Sequence, residues 1–103
     1  MEDAKKVAAA AVAEVAKAGS APDAIAIVDH GGYLIYFERM ENTQLGSVEI
    51  AIEKARSAAL FRRPTKVFED ALAGGKIVGA IGASGGTAAQ DGQVAKAGAD
   101  AVK

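Results

Sequence analysis

Residues 24–37 carry the clearest folding signal in the sequence, because two apolar runs flank a short glycine-containing segment. The runs AIAIV (24–28) and YLIYF (33–37) are separated by DHGG (29–32). Short runs rich in β-branched and aromatic residues predict strands, and a short glycine-containing connection between them predicts a hairpin. The chain is therefore expected to contain an antiparallel strand pair.

Apolar residues at helical spacing predict helices on both sides of this hairpin. Asp3 is expected to cap a first helix over about 4–18. A second helix is expected to begin at Asn42 or Thr43 and to run to about Phe61.

The remaining third of the chain predicts a short helix, a strand and a last helix. Thr65 is expected to cap the short helix, which runs through about Ala73. A strand over about 76–83 follows, and the last helix runs from Thr87 to the C-terminus. Only three strands are predicted in this way, so the third has no evident partner of its own.

Size and composition predict one small domain, residues 1–103, with a thin core. Half of the residues are hydrophobic but only 5% are aromatic, so most of the apolar content is alanine. Alanine buries little area, and self-association would help such a core.

Charge and cysteine content exclude several classes of protein. A net charge of −1, with acidic and basic residues interspersed, gives no field for holding a nucleic-acid backbone. The absence of cysteine excludes disulfides, thiolate metal sites and cysteine catalysis. No signal-like start and no long uninterrupted apolar run is present, so we expect a cytoplasmic protein without a membrane partner.

Residues 82–86, GASGG, match the G-x-S-x-G pattern of a serine-nucleophile elbow. Ser84 would be the nucleophile and would need a base within hydrogen-bond reach, and His30 is the only histidine. The chain is also too short for an α/β-hydrolase sheet. The pattern is therefore interpreted as turn chemistry.

The backbone amides of the same turn offer a second interpretation. Free amides at Gly85 and Gly86, at the start of the last helix, could receive a carboxylate. Thr87 and Gln90 have the spacing of a capping box, which would use some of the same amides. Both interpretations stay open.

Metal and haem ligands are not singled out by spacing. The pairs Glu38/Glu41 and Glu49/Glu53 supply too few oxygens for a stable cation site, so no metal is expected. Residues that could offer an axial ligand to haem iron occur without a distinguishing pattern: His30, Tyr33, Tyr36, Met40 and Ser57.

Three stretches taken together carry a family resemblance. They are VDHGGYL (28–34), ERM (38–40) leading into LGSVEIA (45–51) and KARSAALFRRPT (54–65), and VGAIGASGGT (78–87) with Gln90 and Asp91. In this order, over nearly the whole chain, they resemble the GlcG/HbpS-like family of haem-binding or haem-degrading domains, which also occurs at the C-terminus of PduO-type proteins.

The resemblance implies an α/β (α+β) fold of the profilin-like kind, an antiparallel sheet flanked by helices, and assembly into dimers or larger homo-oligomers. Some members bind haem or help to degrade it, and others are linked to redox sensing or to cobalamin-related enzymes. Haem is therefore the cofactor that the resemblance implies. Family membership predicts the fold more firmly than the function.

The chain departs from the family pattern at two places. Many relatives have histidine where this chain has Tyr33, and the histidine here comes earlier, at His30. Relatives also carry a loop and a further strand where Gly74 and Gly75 lead directly into the last strand. We predict that a segment near residues 73–76 is present in the protein but skipped by the numbering. Consecutive α-carbons about 3.8 Å apart across this junction would contradict that.

The first hypothesis is a homo-oligomer that binds haem or a related small ligand near the hairpin end, the start of the second helix and the serine-glycine turn. Arg39, Lys54 and Arg56 are expected to meet carboxylates. The ligand-binding candidates are Arg39, Lys54, Arg56, Ser57, Ser84, Gly85, Gly86 and Thr87. The candidates for an axial haem ligand are His30 and Tyr33.

Two further hypotheses come from other classes. In an enzyme acting on a small acidic metabolite, Arg39 and Lys54 would orient the carboxylate and Asp29, Glu49 or Asp91 would serve as acid or base. In a structural or sensory subunit, the oligomer surface itself would be the function.

Overall fold

The computed structural model describes residues 2–63, 66–70 and 76–102. These residues form three helices and four strands, in the order α1 Glu2–Ala18, β1 Ala24–Asp29, β2 Leu34–Arg39, α2 Ser47–Leu60, β3 Val67–Asp70, β4 Lys76–Ser84 and α3 Ala88–Asp100. The strands form one antiparallel sheet in the order β2-β1-β4-β3. The predicted α+β class, an antiparallel sheet flanked by helices, is confirmed.

Helices cover both faces of the sheet, and β1 shows why. Its side chains alternate between the faces, because successive residues of a strand point in opposite directions. Ile25 and Ile27 pack toward α1 and α3, whereas Ala26 and Val28 pack toward α2. The chain therefore has two cores separated by the sheet, and the one beneath α2 is built largely from alanine.

The small residues beneath α2 bring this helix very close to β4. A Cβ added at Gly82 would overlap the Ala51 carbonyl oxygen and the Ala55 nitrogen. Glycine at position 82 thus lets the backbones meet, and the neighbouring Lys54 side chain reaches across the end of β4. This approach positions the site described below.

The hairpin prediction is confirmed, with β1 and β2 joined through residues 30–33. The Asp29 side chain accepts hydrogen bonds from the backbone amides of Gly31 and Tyr33, at 2.9 and 3.0 Å. Gly32 has a φ of +88°, a conformation that L residues rarely adopt. Both features fix the turn locally.

The short helix predicted over 65–73 is wrong in its described part, because Val67–Asp70 form strand β3. Val67 packs in the core beneath α2, and Phe68 packs in the core on the other face. This two-sided burial and the pairing with β4 outweigh the helical propensity of a four-residue segment. Strand β3 gives β4 its second neighbour beside β1, which corrects the three-strand count.

The missing segment predicted near residues 73–76 falls largely on 71–75, which lie outside the described residues, as does Thr65. It stays a prediction. Within the described ranges, no helix is long and apolar enough to cross a membrane.

Helix α2 begins at Ser47, later than the predicted Asn42 or Thr43. Asn42 has a φ of 68°, which no α-helix accepts. The Thr43 hydroxyl donates to the carbonyl oxygens of Met40 and Asp23, at 2.6 and 3.2 Å. Thr43 therefore anchors the connection to the residue preceding β1 and does not cap the helix.

Candidate functional site

A cavity of about 380 Å³ lies between α2 and α3 over the end of β4. This volume is in the range of small-molecule sites. Helices and strand supply small and apolar walls, and charged side chains approach from α2 and from the segment that follows it. The lining comprises Ile50, Glu53, Lys54, Ser57, Arg63, Lys66, Gly82, Ala83, Ala88, Asp91, Gly92 and Ala95.

An ion pair between Lys54 and Asp91 forms one wall of the cavity. The Lys54 ammonium lies 3.2 Å from Asp91 Oδ2 and donates to the Ala83 carbonyl oxygen at 3.0 Å. The Asp91 side chain is 6% exposed and the Lys54 side chain 41%. Lys54 thus connects a buried carboxylate with the open space of the cavity.

The serine-glycine turn binds this same carboxylate. The backbone amides of Gly85 and Gly86 donate to Asp91 at 3.4 and 2.9 Å. The cradle that the sequence suggests for an external anion therefore holds a carboxylate of the chain itself.

The predicted capping box at the start of α3 is confirmed. The Thr87 hydroxyl accepts from the Gln90 amide at 3.1 Å, and the Gln90 side chain accepts from the Thr87 amide at 3.0 Å. These two bonds satisfy orphan amides of the helix start, and Asp91 takes those of the preceding turn.

Asp23 lies behind Asp91 and is fully buried. Neither of its ionised carboxylate oxygens has a hydrogen-bond donor among the described groups. Burial raises the pKa of Asp23 from 3.8 to about 7, and the negative charge of Asp91 and a hydrogen bond to it act in the same direction. Lys54 opposes this shift. Asp23 therefore takes up a proton near neutral pH.

Two further cations, Arg63 and Lys66, line the cavity beside the end of α2. Within the described ranges, neither side chain has an ion pair or hydrogen bond. The sequence analysis included Arg63 only within the stretch 54–65 that carries the family resemblance, and it did not name Lys66. The sequence signal that could have indicated them is the basic cluster Arg62, Arg63 and Lys66 directly after the amphipathic helix α2.

The structure divides the sequence-predicted site residues between two ends of the sheet. Lys54 and Ser57 line the cavity, and the turn from Ser84 to Thr87 adjoins it. Arg39 is at the same end, since Arg39 pairs with Ala24 and Ala24 with Ser84.

The other candidates lie at the far end of the sheet. A Cβ built at Gly32 would be 3.9 Å from Arg56 Cγ, so Arg56 adjoins the hairpin turn that carries His30 and Tyr33. Five residues of β1 separate this turn from the Ser84 level, or about 17 Å. No imidazole is therefore within reach of Ser84, which agrees with the turn interpretation of GASGG.

Metal-type ligands do not gather in the part of the chain that the structure describes. No group of three or more histidine, aspartate and glutamate side chains there could hold a metal ion.

Sequence comparison decides the family. The profile described as "Haem degrading protein HbpS-like" matches residues 1–74, more than half of the chain. The chain belongs to the HbpS-like family. An uncharacterised 15.0 kDa protein of Citrobacter freundii is 30% identical, with 85% of this chain and 80% of that protein aligned. GlcG of Escherichia coli K12 is 42% identical over 52 residues, which is 50% of this chain and 39% of GlcG.

Solved structures agree with the family at the level of the fold. A crystal structure of PduOC in complex with haem matches with a TM-score of 0.85 and 22% identity, and covers all of this chain and 94% of PduOC. A double mutant of HbpS from Streptomyces reticuli matches with a TM-score of 0.82 and 26% identity, over 99% of this chain and 85% of HbpS. The four-stranded sheet with three helices is thus the family fold.

Proposed function

We propose that this HbpS-like chain binds a small ligand with carboxylate groups in the cavity between α2 and α3, and that haem is the first ligand to test. The observation that carries the proposal is a pair of cations, Arg63 and Lys66, that have no partner among the described residues and lie at a cavity with apolar walls. Cations of this kind form charge-assisted hydrogen bonds with carboxylates. The haem complex of PduOC supports haem as the first candidate.

The described lining fits part of the haem molecule. Arg63 and Lys66 suit its propionates, and Ile50 and the alanines of β4 and α3 suit its apolar ring. Among the described lining residues there is no histidine, tyrosine, methionine or cysteine, which are the usual axial ligands. When bound, haem would supply an iron centre, and this chain's share in the cavity is to hold the carboxylates and exclude water from the ring.

Titration of hemin into the purified protein tests the proposal. A saturable Soret change is expected for the wild type, and loss of both cations in R63A/K66A is expected to weaken binding by about tenfold or more. The matched control is K5A/K17A, which removes two exposed cations from α1 on the other side of the sheet. Equal affinities for both double variants would contradict the proposal.

A second candidate function is an enzyme acting on a small acidic metabolite. The observation that favours it is the Asp23, Asp91 and Lys54 group, which places a proton and an ammonium at the cavity wall. Small carboxylic acids incubated with the protein in deuterated water, followed by proton NMR, test it. If the wild type exchanges C–H protons of an acid for deuterium, so that their signals are lost, and Asp91→Asn does not, the result would support an enzyme. Unchanged spectra with the wild type would oppose it.

Homo-oligomerisation is proposed on the apolar surface of α2 and its flanks. Leu45, Ile50, Leu60 and Phe61 are between 47% and 77% exposed, which is unusual for large apolar side chains on one small domain. Light scattering coupled to size exclusion measures the mass, and a strictly monomeric protein at micromolar concentration would oppose the proposal. A structural or sensory role would follow if the oligomer binds no ligand.

A cytoplasmic location stays a prediction.

A further inference from the structure

The buried Asp23 carboxyl has no role in holding an anionic ligand, yet it lies directly behind the cavity wall. It is fully buried, and its ionised oxygens have no donor among the described groups. An ionised carboxylate in such a place is costly, and a hydrogen-bonded proton removes much of the cost. Asp91 is the neighbouring acceptor for such a proton, because a Cβ at Gly85 would lie 2.6 Å from Asp23 Oδ1 and the Gly85 amide donates to Asp91.

Asp91 is held differently from its neighbour. It accepts the amides of Gly85 and Gly86 and the ammonium of Lys54. A proton on Asp23 therefore leaves a single negative charge on the pair, beside the Lys54 ammonium.

Lys54 faces the cavity as well as the pair, with two-fifths of its side chain exposed. An anion that enters the cavity attracts this ammonium and also adds its own negative charge beside Asp91. Both effects make a second negative charge on the pair less favourable, so both favour uptake of a proton.

We propose that the cavity is a linked site for a carboxylate and a proton, in which the Asp23 and Asp91 carboxyls hold the proton that accompanies the anion. The proposal rests on the anion site of the proposed function and adds the proton as its co-ligand. Because linkage is reciprocal, the carboxylate binds more tightly where the pair is protonated.

The other charged groups lining the cavity are Glu53 from α2 and Arg63 and Lys66 after it. Arg39 on β2 pairs with Ala24, the residue that follows Asp23. Neutral Thr43 and the Met40 amide contact only the Asp23 backbone oxygen. Glu53 adds negative charge to the cavity and the two cations offset it, but in the described part of the chain none of the three hydrogen-bonds to Asp23 or Asp91. The proton is therefore assigned to the pair.

The experiment follows the backbone amide signals of Gly85 and Gly86 by NMR as pH is varied, without and with saturating succinate as the anionic probe. Both amides donate to Asp91, and a Cβ at Gly85 would lie 2.6 Å from Asp23 Oδ1, so the two signals respond to the proton on the pair. An inflection near pH 7 is expected in the free protein. Succinate is expected to move the inflection to higher pH, and its affinity is expected to be about threefold to tenfold higher at pH 6 than at pH 8.

Three variants separate the pair from other titrating groups. Asp23→Asn is expected to abolish both the inflection and the pH dependence of affinity. His30→Asn removes the only histidine, at the far end of the sheet, and is expected to keep both. Glu53→Gln removes a negative charge from the same cavity and keeps the pair, so the pH dependence is expected to persist.

The outcomes distinguish this inference from the function on which it rests. If succinate and hemin both leave every cavity resonance unmoved, the anion site is wrong and the linkage is wrong with it. If succinate binds but the inflection does not move, the anion site stands and the linkage alone is overturned.

Discussion

Asp91 Oδ1 accepts a hydrogen bond from the Gly86 backbone amide at 2.9 Å, so the chain fills its own anion cradle. The same carboxylate accepts the Gly85 amide and the Lys54 ammonium. One side chain thereby ties α3, the end of β4 and α2 together beside the cavity. The glycine turn thus stabilises the cavity wall. The cations that remain for a ligand, among the described residues, are Arg63 and Lys66.

Replacement of Asp91 by alanine is expected to lower the free energy of unfolding by about 1–3 kcal/mol. The change leaves the part-buried Gly85 and Gly86 amides without their acceptor and removes one of the two acceptors of Lys54, and unsatisfied groups of this kind carry such a cost. Urea unfolding measures the effect. Lys96→Ala, which breaks an exposed pair with Asp100, is the control and is expected to cost less than about 0.5 kcal/mol. Equal losses would contradict the role of Asp91.

Stability is expected to depend on pH through Asp23. Its pKa is 3.8 in a solvated carboxyl and about 7 in the folded protein, so the folded state binds the proton more strongly. The contribution of Asp23 to stability is therefore full below about pH 4, and it is lost as pH rises toward 7. The loss is at most about 4 kcal/mol.

The difference between the wild type and Asp23→Asn isolates this contribution. Relative to the wild type, the variant is expected to gain stability between about pH 4 and pH 7 and to level off above that, as measured by urea unfolding in parallel buffers. A difference that stays constant over this range would show that Asp23 ionises normally in the folded protein.

Replacement of Gly82 by alanine is expected to be strongly destabilising, by about 2 kcal/mol or more. The new methyl group would overlap backbone atoms of Ala51 and Ala55, so α2 would have to move off the sheet. Gly92→Ala is the matched control, because nothing lies within 4 Å of a Cβ there and alanine favours the helix by about 1 kcal/mol. Thermal unfolding midpoints of both variants test this, and the midpoint of Gly82→Ala is expected to be the lower. Similar midpoints would mean that the packing of α2 does not depend on this close approach.

Loss of the capping hydroxyl in Thr87→Ala is expected to cost about 1 kcal/mol, since the Gln90 amide loses its acceptor. Thr87→Ser keeps the hydroxyl and is expected to stay within a few tenths of a kcal/mol of the wild type. Circular dichroism during urea unfolding measures both. An alanine variant as stable as the serine variant would contradict the capping role.

The hairpin, the three main helices and the capping box could be predicted from sequence because their signals are local. Residues 24–37 carry both strands and their turn, and Thr87 lies three residues from its partner Gln90. Strand β3 could not be predicted in this way. Val67 and Phe68 become a strand only because β4 pairs with them and each of the two faces receives one side chain.

The site was predictable only in part for the same reason. Lys54 was predicted as a carboxylate partner from its charge and Ser57 was one of the ligand-binding candidates, and both line the cavity. The Asp23 and Asp91 pair joins residues 68 positions apart in the sequence, and no local pattern marks such a contact. Arg63 and Lys66 become candidates for ligand binding only because the fold places them at the cavity between α2 and α3.

The location of bound hemin tests the central claim most directly. The paramagnetic iron broadens backbone amide signals near it in a proton–nitrogen NMR spectrum of the full chain. The account predicts broadening at the cavity residues Lys54, Asp91 and Gly92, while the hairpin turn from His30 to Tyr33 stays sharp. Broadening centred on that turn, with sharp cavity signals, would contradict the proposed site.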